Sequence, residues 1–331
     1  MTMSKLAMTS VSPTLSDKRM SGKTISGKTM SDNPAGRVRH PYLSFGQYMQ
    51  QKHGERVHKL SINASFTCPN RDGTKGIGGC TFCNIASFSP NAKAPDSIET
   101  QIAQGKAVIA RRTGARKFLA YFQAYTNTYD DAAKLKLLYD RALAVENVIG
   151  LSIGTRPDCV PDEVLDLLVN YQNQGYDIWL ELGLQSAFDE SLARVNRGHG
   201  WAEYEDACSR ARSKGLKVCT HLIVGLPGET TSDSFESLDK VLNLGTDGIK
   251  FHPLHIVKGT QLAREWKRGE YLPVELDDYI KTVVKLVRML PKNVVVHRLI
   301  GTASEDILLA PAWCSKKWSV LNEISRQLKI Y

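Results

Sequence analysis

Short apolar segments rich in β-branched and aromatic residues alternate with amphipathic segments along most of the chain. The apolar segments predict seven strands, at 59–65, 118–124, 148–153, 177–184, 217–224, 247–253 and 293–299. The amphipathic segments predict helices near 98–113, 130–145, 161–174, 201–214, 230–244 and 275–290. Such alternation is typical of parallel sheets whose strands are joined by helices. The pattern therefore predicts an α/β fold with a parallel sheet, either open or curled toward a barrel.

The two ends of the chain depart from this alternation. Residues 1–40 are rich in Ser, Thr, Lys and Met, which predicts a disordered tail. A phosphate-loop pattern, GKTISGKT at 22–29, lies inside this tail without the flanking strand and helix that phosphate binding requires, and we do not expect it to bind ATP. We divide the remainder into a core at 41–255 and a small, partly helical C-terminal extension at 256–331.

Charge and composition exclude some functions without choosing one. The formal net charge is +9, but residues 1–40 contribute +5 through seven basic and two acidic residues, which leaves about +4 for the body. Such a body supports an anionic partner only weakly. No apolar run approaches the ~20 residues of a membrane span, and the N-terminus has no signal-peptide core. Seven cysteines without a secretory framework fit the reducing cytoplasm, and we expect no membrane association.

Three cysteines after the first predicted strand carry the strongest chemical signal. Cys80 and Cys83 have the C-x-x-C spacing with which two thiolates bind one soft metal centre, and Cys68 lies upstream across a Gly-rich loop. Three thiolates without an obvious fourth favour an iron–sulfur cluster with one iron open for a non-protein ligand. A structural zinc site is normally closed by four ligands, and the nearby candidates, His53 and His58, lie beyond the predicted strand. Zinc binding and unligated cysteines stay open as less favoured alternatives.

Polar residues also end the later predicted strands, where parallel barrels place their functional groups. Glu181 and Gln185 lie four residues apart in one strand and share a face, from which both can point into a barrel lumen. A buried carboxylate and amide need polar partners, which a bound zwitterion would supply. The alternative is an internal ion pair of Glu181 with Arg156 or Arg197.

Taken together, these motifs resemble the radical S-adenosylmethionine (SAM) superfamily, and within it the Elongator-subunit-3-like group with its shorter bacterial relatives of the YhcC/YtqA type. The resemblance runs from about Phe45 to Leu328. It rests on CPNRDG at 68–73, GGCTFCN at 78–84, ELGLQS at 181–186, NRGH at 196–199, HLIVGLPGET at 221–230 and HRLIG at 297–301. It implies a partial (βα)6-type TIM barrel as the radical SAM core, which the C-terminal extension would complete or cap.

The resemblance implies two cofactors. A [4Fe-4S] cluster would be held by Cys68, Cys80 and Cys83, and the amino and carboxylate groups of SAM would chelate its open iron. An electron from the cluster would cleave SAM into methionine and a 5′-deoxyadenosyl radical, which abstracts hydrogen from the substrate. We expect a low-potential electron donor of the flavodoxin or ferredoxin type.

The resemblance also implies contacts to SAM, with departures from the usual pattern. Gln185 and Arg197 match a Gln and an Arg, twelve residues apart, that hold SAM in the related anaerobic coproporphyrinogen oxidases. Gln123 stands where the family usually has a Gly-Gly-Gly cradle for the SAM amino group, and would act through its carbonyl oxygen. Thr155 and His221 stand where acidic residues are typical. The expected cofactor contacts are Phe82 (near the adenine), Gln123, Thr155, Glu181, Gln185, Arg197 and His221.

Three hypotheses about the function remain open. The Elongator-like relatives suggest a tRNA substrate, with chemistry on a side group of the wobble uridine. A small anionic metabolite is the second, held by the late strand-end residues Lys250, His252, His255 and Arg298. The third is a non-catalytic iron–sulfur or zinc protein with a regulatory or RNA-binding role.

The C-terminal segment at 313–318 bears on these hypotheses. Trp313 and Trp318 flank Lys316 and Lys317, so this segment could stack on bases and neutralise phosphates. The favoured alternative is a helix that caps the barrel with its aromatic side chains buried.

Overall fold

The computed structural model describes residues 41–84 and 96–329. The tail predicted to be disordered, with the phosphate-loop pattern inside it, lies outside the described residues. Within the described ranges, no helix is both long enough and apolar enough to cross a membrane.

Seven parallel strands form the main sheet and lie side by side in chain order. The sheet curls into a half-barrel, which confirms the predicted α/β partial TIM barrel, and all seven predicted strands are present. Their bounds are β1 Val57–Ile62, β2 Lys117–Phe122, β3 Val148–Thr155, β4 Asp177–Gln185, β5 Lys217–Val224, β6 Gly248–Pro253 and β8 Val295–Arg298. Two short strands that the sequence did not predict, β7 Ile256–Val257 and β9 Leu308–Ala310, pair antiparallel in a separate small sheet.

Helices connect consecutive strands and bury one apolar face each. Their bounds are α1 Phe45–His53, α2 Ile98–Thr113, α3 Ala132–Leu143, α4 Asp162–Asn173, α5 Asp189–Arg194, α6 Trp201–Ser213, α7 Thr231–Leu244, α8 Gln261–Lys267, α9 Leu276–Met289 and α10 Lys317–Lys329. Local signals set the ends: the Ser97 hydroxyl accepts the backbone N–H of Thr100 at the start of α2, and Gly114 ends that helix in the left-handed region. The three helices missing from the prediction, α1, α5 and α8, have nine residues or fewer, too few to show a clear helical period.

Alternation along β4 separates the hydrophobic core from the interior of the half-barrel. Every second side chain of the strand joins the main core cluster, namely Ile178, Leu180, Leu182 and Leu184. The intervening residues face inward. Trp179 packs into a smaller cluster, whereas Glu181 and Gln185 line a cavity. The predicted shared face of Glu181 and Gln185 is therefore present.

The two tryptophans of the C-terminal segment lie in different environments, so each fits a different one of the two predicted roles. Trp313 packs against the main core and donates its indole N–H to the Val274 carbonyl at 3.3 Å, as expected for a capping element. Trp318, by contrast, is 68% exposed. Helix α10 buries Val320, Ile324 and Leu328 and packs on α9. Residues on both sides of position 255 belong to one compact unit, His40–Tyr331, and the domain boundary there stays a prediction.

Candidate active site

A cavity of about 240 Å³ opens at the carboxyl ends of the parallel strands. It is lined by all ten residues that the sequence assigned to cluster or cofactor binding: Cys68, Phe82, Cys80, Cys83, Gln123, Thr155, Glu181, Gln185, Arg197 and His221. These residues come from the loop after β1, from β3, β4 and β5, from the residue after β2, and from the loop between α5 and α6. The fold therefore brings the whole predicted set to one place.

The loop that carries the three cysteines is held in shape by polar contacts. Arg71 donates to the Cys83 carbonyl at 2.9 Å, and Asn196 donates to the Gly79 carbonyl at 2.8 Å. Gly79 has a φ of +81°, and a Cβ added there would lie 2.8 Å from Arg71 Nε. Both the backbone conformation and the close approach of Arg71 therefore require glycine at this position.

Arg197 links the cysteine loop to β4. Its Nη1 lies 3.5 Å from Cys80 Sγ, and its Nη2 donates to the Gly183 carbonyl at 2.7 Å. A Cβ added to Gly183 would lie 2.9 Å from both Arg197 Nη2 and Gln185 Nε2. Gln185 sits beside a register shift between β4 and β5 with a φ of +82°. The bulge therefore brings Gln185 and Arg197 together over Gly183, next to the cysteines.

The donor set at this end of the cavity fits an iron–sulfur cluster better than a single zinc ion. In the described ranges, no three His, Cys, Asp or Glu side chains are close enough together to hold one metal ion, although three thiols line the cavity. Two buried polar atoms beside them, Arg197 Nε and Asn70 Oδ1, have no hydrogen-bond partner among the described residues. Unsatisfied buried groups of this kind are costly unless a ligand completes them. The three thiols therefore fit a group with several soft metal atoms, and the two unpartnered polar atoms fit a polar ligand beside it.

Glu181 is the centre of a buried polar layer across the half-barrel. It is fully buried, and its carboxylate accepts hydrogen bonds from Lys59 and Lys250, from Ser152 Oγ at 2.5 Å and from His221 Nε2 at 2.8 Å. The layer extends further: Lys59 donates to His297 Nδ1 at 2.9 Å, and Lys250 donates to the Tyr121 hydroxyl at 2.9 Å. All seven strands contribute to it, through Lys59, Tyr121, Ser152, Glu181, His221, Lys250 and His297.

The ion pair expected as the alternative role of Glu181 exists, but its partners are lysines. Arg156 instead forms a buried pair with Asp158 at 2.9 Å, and Arg197 faces Cys80. Burial pushes the pKa of Glu181 upward, but Lys250 and Lys59 outweigh it and hold the pKa well below its ordinary value. Burial lowers the pKa of Lys250 to about 7 although Glu181 raises it. Glu181 therefore stays ionised and reaches the cavity as part of a charged network.

The other predicted contacts have defined partners. Gln123 accepts a hydrogen bond from Ser61 Oγ at 2.9 Å through its side-chain oxygen. Thr155 Oγ1 lies 2.5 Å from Thr128 Oγ1, which in turn donates to a backbone carbonyl. Thr155 therefore donates its proton to Thr128 and keeps its oxygen lone pairs available to a ligand. The side-chain amide of Gln123 likewise remains a possible donor.

The contributors missed from the sequence include Lys59, Arg71, Tyr121 and Ser152. Lys59 interrupts an apolar strand, which is a detectable signal, because a lysine on the inner face of a barrel strand needs a buried partner. Arg71 follows Cys68 within the quoted motif and could have been considered as a loop anchor. Tyr121 gives no such signal, since an aromatic residue in a strand is ordinary.

Lowering the pH should destabilise the fold because buried imidazoles in this site resist protonation. An unfolded histidine gains a proton near pH 6.5, whereas burial, and then Lys250, lower the pKa of His221 to about 4. The unfolded state therefore binds more protons between these values, and stability falls as the pH drops through the window. We expect this residue alone to cost about 2 kcal/mol at pH 5 relative to pH 7. Urea unfolding should show it, and a His221→Gln variant with an equally steep pH dependence would contradict it.

The comparisons with known proteins agree with this geometry. Residues 63–241 match the Radical SAM superfamily, and residues 246–330 match the Radical_SAM C-terminal domain. The first match spans more than half of the chain. The chain therefore belongs to the radical SAM superfamily and is an enzyme of that class.

Individual relatives place it more closely. The chain is 49% identical over 284 residues to Protein YhcC of Escherichia coli K12, covering 86% of this chain and 91% of that protein. It is 35% identical over 289 residues to YtqA of Bacillus subtilis, covering 87% and 89%. The predicted membership of the Elongator-like radical SAM group is thereby confirmed.

Two more distant similarities lead to archaeal proteins. The tRNA uridine(34) acetyltransferase of Methanocaldococcus infernus is 31% identical over 160 residues, 47% of this chain and 29% of that protein. The structure of Elp3 from the same organism, with an N-terminal deletion, gives a TM-score of 0.57 at 18% identity and covers 82% of this chain and 63% of that one. At this identity the structural similarity supports the fold alone.

Proposed function

We propose that the cavity binds a [4Fe-4S] cluster and SAM and that the enzyme abstracts hydrogen from its substrate. The observation that carries this proposal is the convergence of three thiols, Gln185 and Arg197 on one cavity. When bound, the cluster supplies one electron that cleaves SAM to methionine and a 5′-deoxyadenosyl radical. Cys68, Cys80 and Cys83 would hold the cluster, and Gln185 and Arg197 would orient SAM. The strands that line the cavity would limit the access of water to the radical.

The test is anaerobic turnover. The protein is reconstituted with iron and sulfide, reduced with dithionite and given SAM, and 5′-deoxyadenosine is quantified by chromatography. We expect its formation to require both cluster and reductant. In the cell, a flavodoxin or ferredoxin type of donor would replace dithionite. One tightly held zinc ion without SAM affinity would overturn the proposal.

We further propose that the substrate is tRNA, modified on a side group of the wobble uridine. The sequence similarity to a tRNA uridine(34) acetyltransferase supports this substrate class. On the molecule itself, the exposed Trp318 at the start of α10 supports it, because Lys317 Nζ lies 5.7 Å from the centre of its ring. Burial, followed by the charge of Arg298 in the cavity wall, lowers the pKa of Lys317. An aromatic side chain beside a cation is suited to stacking on a base.

Replacing Trp318 by alanine should weaken tRNA binding about tenfold, the effect of losing one stacked base. Fluorescence anisotropy with unmodified tRNA at moderate salt measures this, because phosphate contacts dominate at low salt. Leu137→Ala is the matched control, since Leu137 is 66% exposed on α3 and should leave the affinity unchanged. Equal affinities for the two variants would contradict the stacking role of Trp318, and no tRNA binding by the wild type would contradict the tRNA proposal.

A further inference from the structure

The part of the cavity wall contributed by β6, β8 and the turn after β6 contains a cation that the SAM contacts do not use. Arg298 lines the cavity there together with His252 and His255. We call these three residues the Arg298 subsite. Arg298 lies at the end of β8, beside Lys250 of β6 in the strand register. It is partly buried, and strand backbones hold it in place.

Arg298 differs from the neighbouring lysines in having no counter-ion in the part of the chain that the structure describes. Lys59 and Lys250 both pair with Glu181. Among residues 41–84 and 96–329, no carboxylate lies within ion-pair distance of Arg298. Lys59 and Lys250 therefore share the one carboxylate of Glu181, and Arg298 adds a further positive charge that no described carboxylate balances. A partly buried guanidinium without a partner is unfavourable unless an anion completes the site.

SAM does not satisfy this charge. Its sulfonium adds a positive charge to a zwitterionic amino acid, so the molecule is a net cation. Its single carboxylate is already assigned to the cysteine end of the cavity, where Arg197 lies 3.5 Å from Cys80 Sγ. The anion that Arg298 requires therefore belongs to a second ligand, and in this cavity the second ligand is the substrate.

The two histidines of the subsite provide neutral polar groups. Burial, followed by the charge of Arg298, holds the pKa of His252 well below its ordinary value, and burial lowers the pKa of His255. His255 Nδ1 is buried without a hydrogen-bond partner among the described residues. A neutral imidazole can donate or accept a hydrogen bond without adding charge. The subsite therefore offers one full positive charge and additional hydrogen-bonding capacity.

We propose that the Arg298 subsite binds a carboxylate carried by the substrate, close to the carbon that loses hydrogen. A planar guanidinium can pair with two oxygens of a carboxylate or of a phosphate. Its single positive charge balances one carboxylate, whereas a phosphate monoester carries about −1.5 to −2 at pH 7. The proposal rests on the proposed function, in which the same cavity holds SAM. The same contact between a guanidinium and a carboxylate applies whether the carboxylate belongs to a side group of tRNA or to a free carboxylic acid.

The test measures binding of small anions by the cluster-loaded protein with saturating SAM. Succinate and inorganic phosphate are titrated in a calorimeter into the wild type and into Arg298→Leu. We expect succinate to bind the wild type and to bind Arg298→Leu at least about tenfold more weakly, the loss typical of one charge-assisted contact. Arg298→Lys should recover part of the affinity. Arg268→Leu is the matched control, because Arg268 is exposed and pairs with Glu270 on the surface.

Each outcome decides the proposal. Equal succinate affinity in wild type and Arg298→Leu, with circular dichroism showing both folded, overturns it, and so does phosphate binding tighter than succinate binding. Displacement of succinate by tRNA whose wobble uridine carries a carboxylate side group, but not by unmodified tRNA, assigns the carboxylate subsite to a tRNA substrate; succinate retained in the presence of both tRNAs assigns it to a free acid. None of these measurements requires SAM cleavage. Failure of the subsite can therefore be distinguished from failure of the radical chemistry.

Discussion

Replacement of Cys80 by alanine will abolish cluster assembly and SAM cleavage. Cys80 is buried, and Arg197 Nη1 and Asn70 Nδ2 approach its Sγ at 3.5 and 3.9 Å. Such donors fix the orientation of a metal-binding thiolate and offset its charge. Even the loss of an outer-shell contact typically costs about 10–100-fold in metal affinity or activity. We therefore expect iron content to fall from about four per chain to less than one, and 5′-deoxyadenosine to fall by more than about a hundredfold.

Cys314→Ala is the matched control for this experiment. Cys314 is also a buried free thiol, but it does not line the cavity. Its replacement should reduce stability slightly, as removal of a small core side chain does, and leave iron content and product formation near wild type. Iron analysis, the absorbance of the cluster and anaerobic product assays measure all three proteins. A Cys80→Ala variant that retains a SAM-cleaving cluster would show that Cys80 is not a ligand.

The strands and the cysteine loop could be predicted because their signals are local. Seven apolar runs with turn residues at their ends indicate parallel strands, and all seven were found. Cys68, Cys80 and Cys83 lie within sixteen residues of one another, so their convergence requires only a short loop. Gln185 and Arg197 are likewise twelve residues apart. In each case the relevant distance in space follows from a short distance along the chain.

The polar layer could not be predicted in the same way because curling of the sheet creates it. Glu181 and Lys59 are separated by 122 positions, and Lys59 and His297 by 238. Those contacts depend on which side chains of different strands reach the same height inside the half-barrel. The sequence offered Arg156 and Arg197 as partners for Glu181 because they are nearer along the chain. Arg156, however, is satisfied locally by Asp158, two residues away.

The position of this layer connects the fold with the chemistry. Glu181 and His221 belong both to the charged layer and to the cavity wall, so the floor of the candidate active site is made of strand side chains that are hydrogen-bonded to one another. Rigid elements position reactive groups more accurately than loops do. A charged floor in place of an apolar one is costly to bury and is stable only when its charges are paired.

Replacing Glu181 by glutamine should therefore destabilise the whole protein. The substitution retains shape and hydrogen-bonding capacity but leaves the ammonium groups of Lys59 and Lys250 without a counter-charge. Breaking a buried ion pair from one side typically costs about 3–5 kcal/mol. We expect a loss of this size in urea unfolding at pH 7. Glu99→Gln is the control. Glu99, like Glu181, belongs to an ion pair: it lies 2.7 Å from Arg141, but on the exposed surface, where such a pair contributes about 0–1 kcal/mol.

Removing one lysine in addition to Glu181 shows whether the stability lost in Glu181→Gln comes from unbalanced charge or from altered packing. In Glu181→Gln combined with Lys250→Met, one of the two stranded charges is gone, and we expect part of the lost stability to return. If Glu181→Gln were as stable as Glu99→Gln at pH 7, or if the double variant were weaker than the single one, Glu181 would not be the counter-ion of this layer.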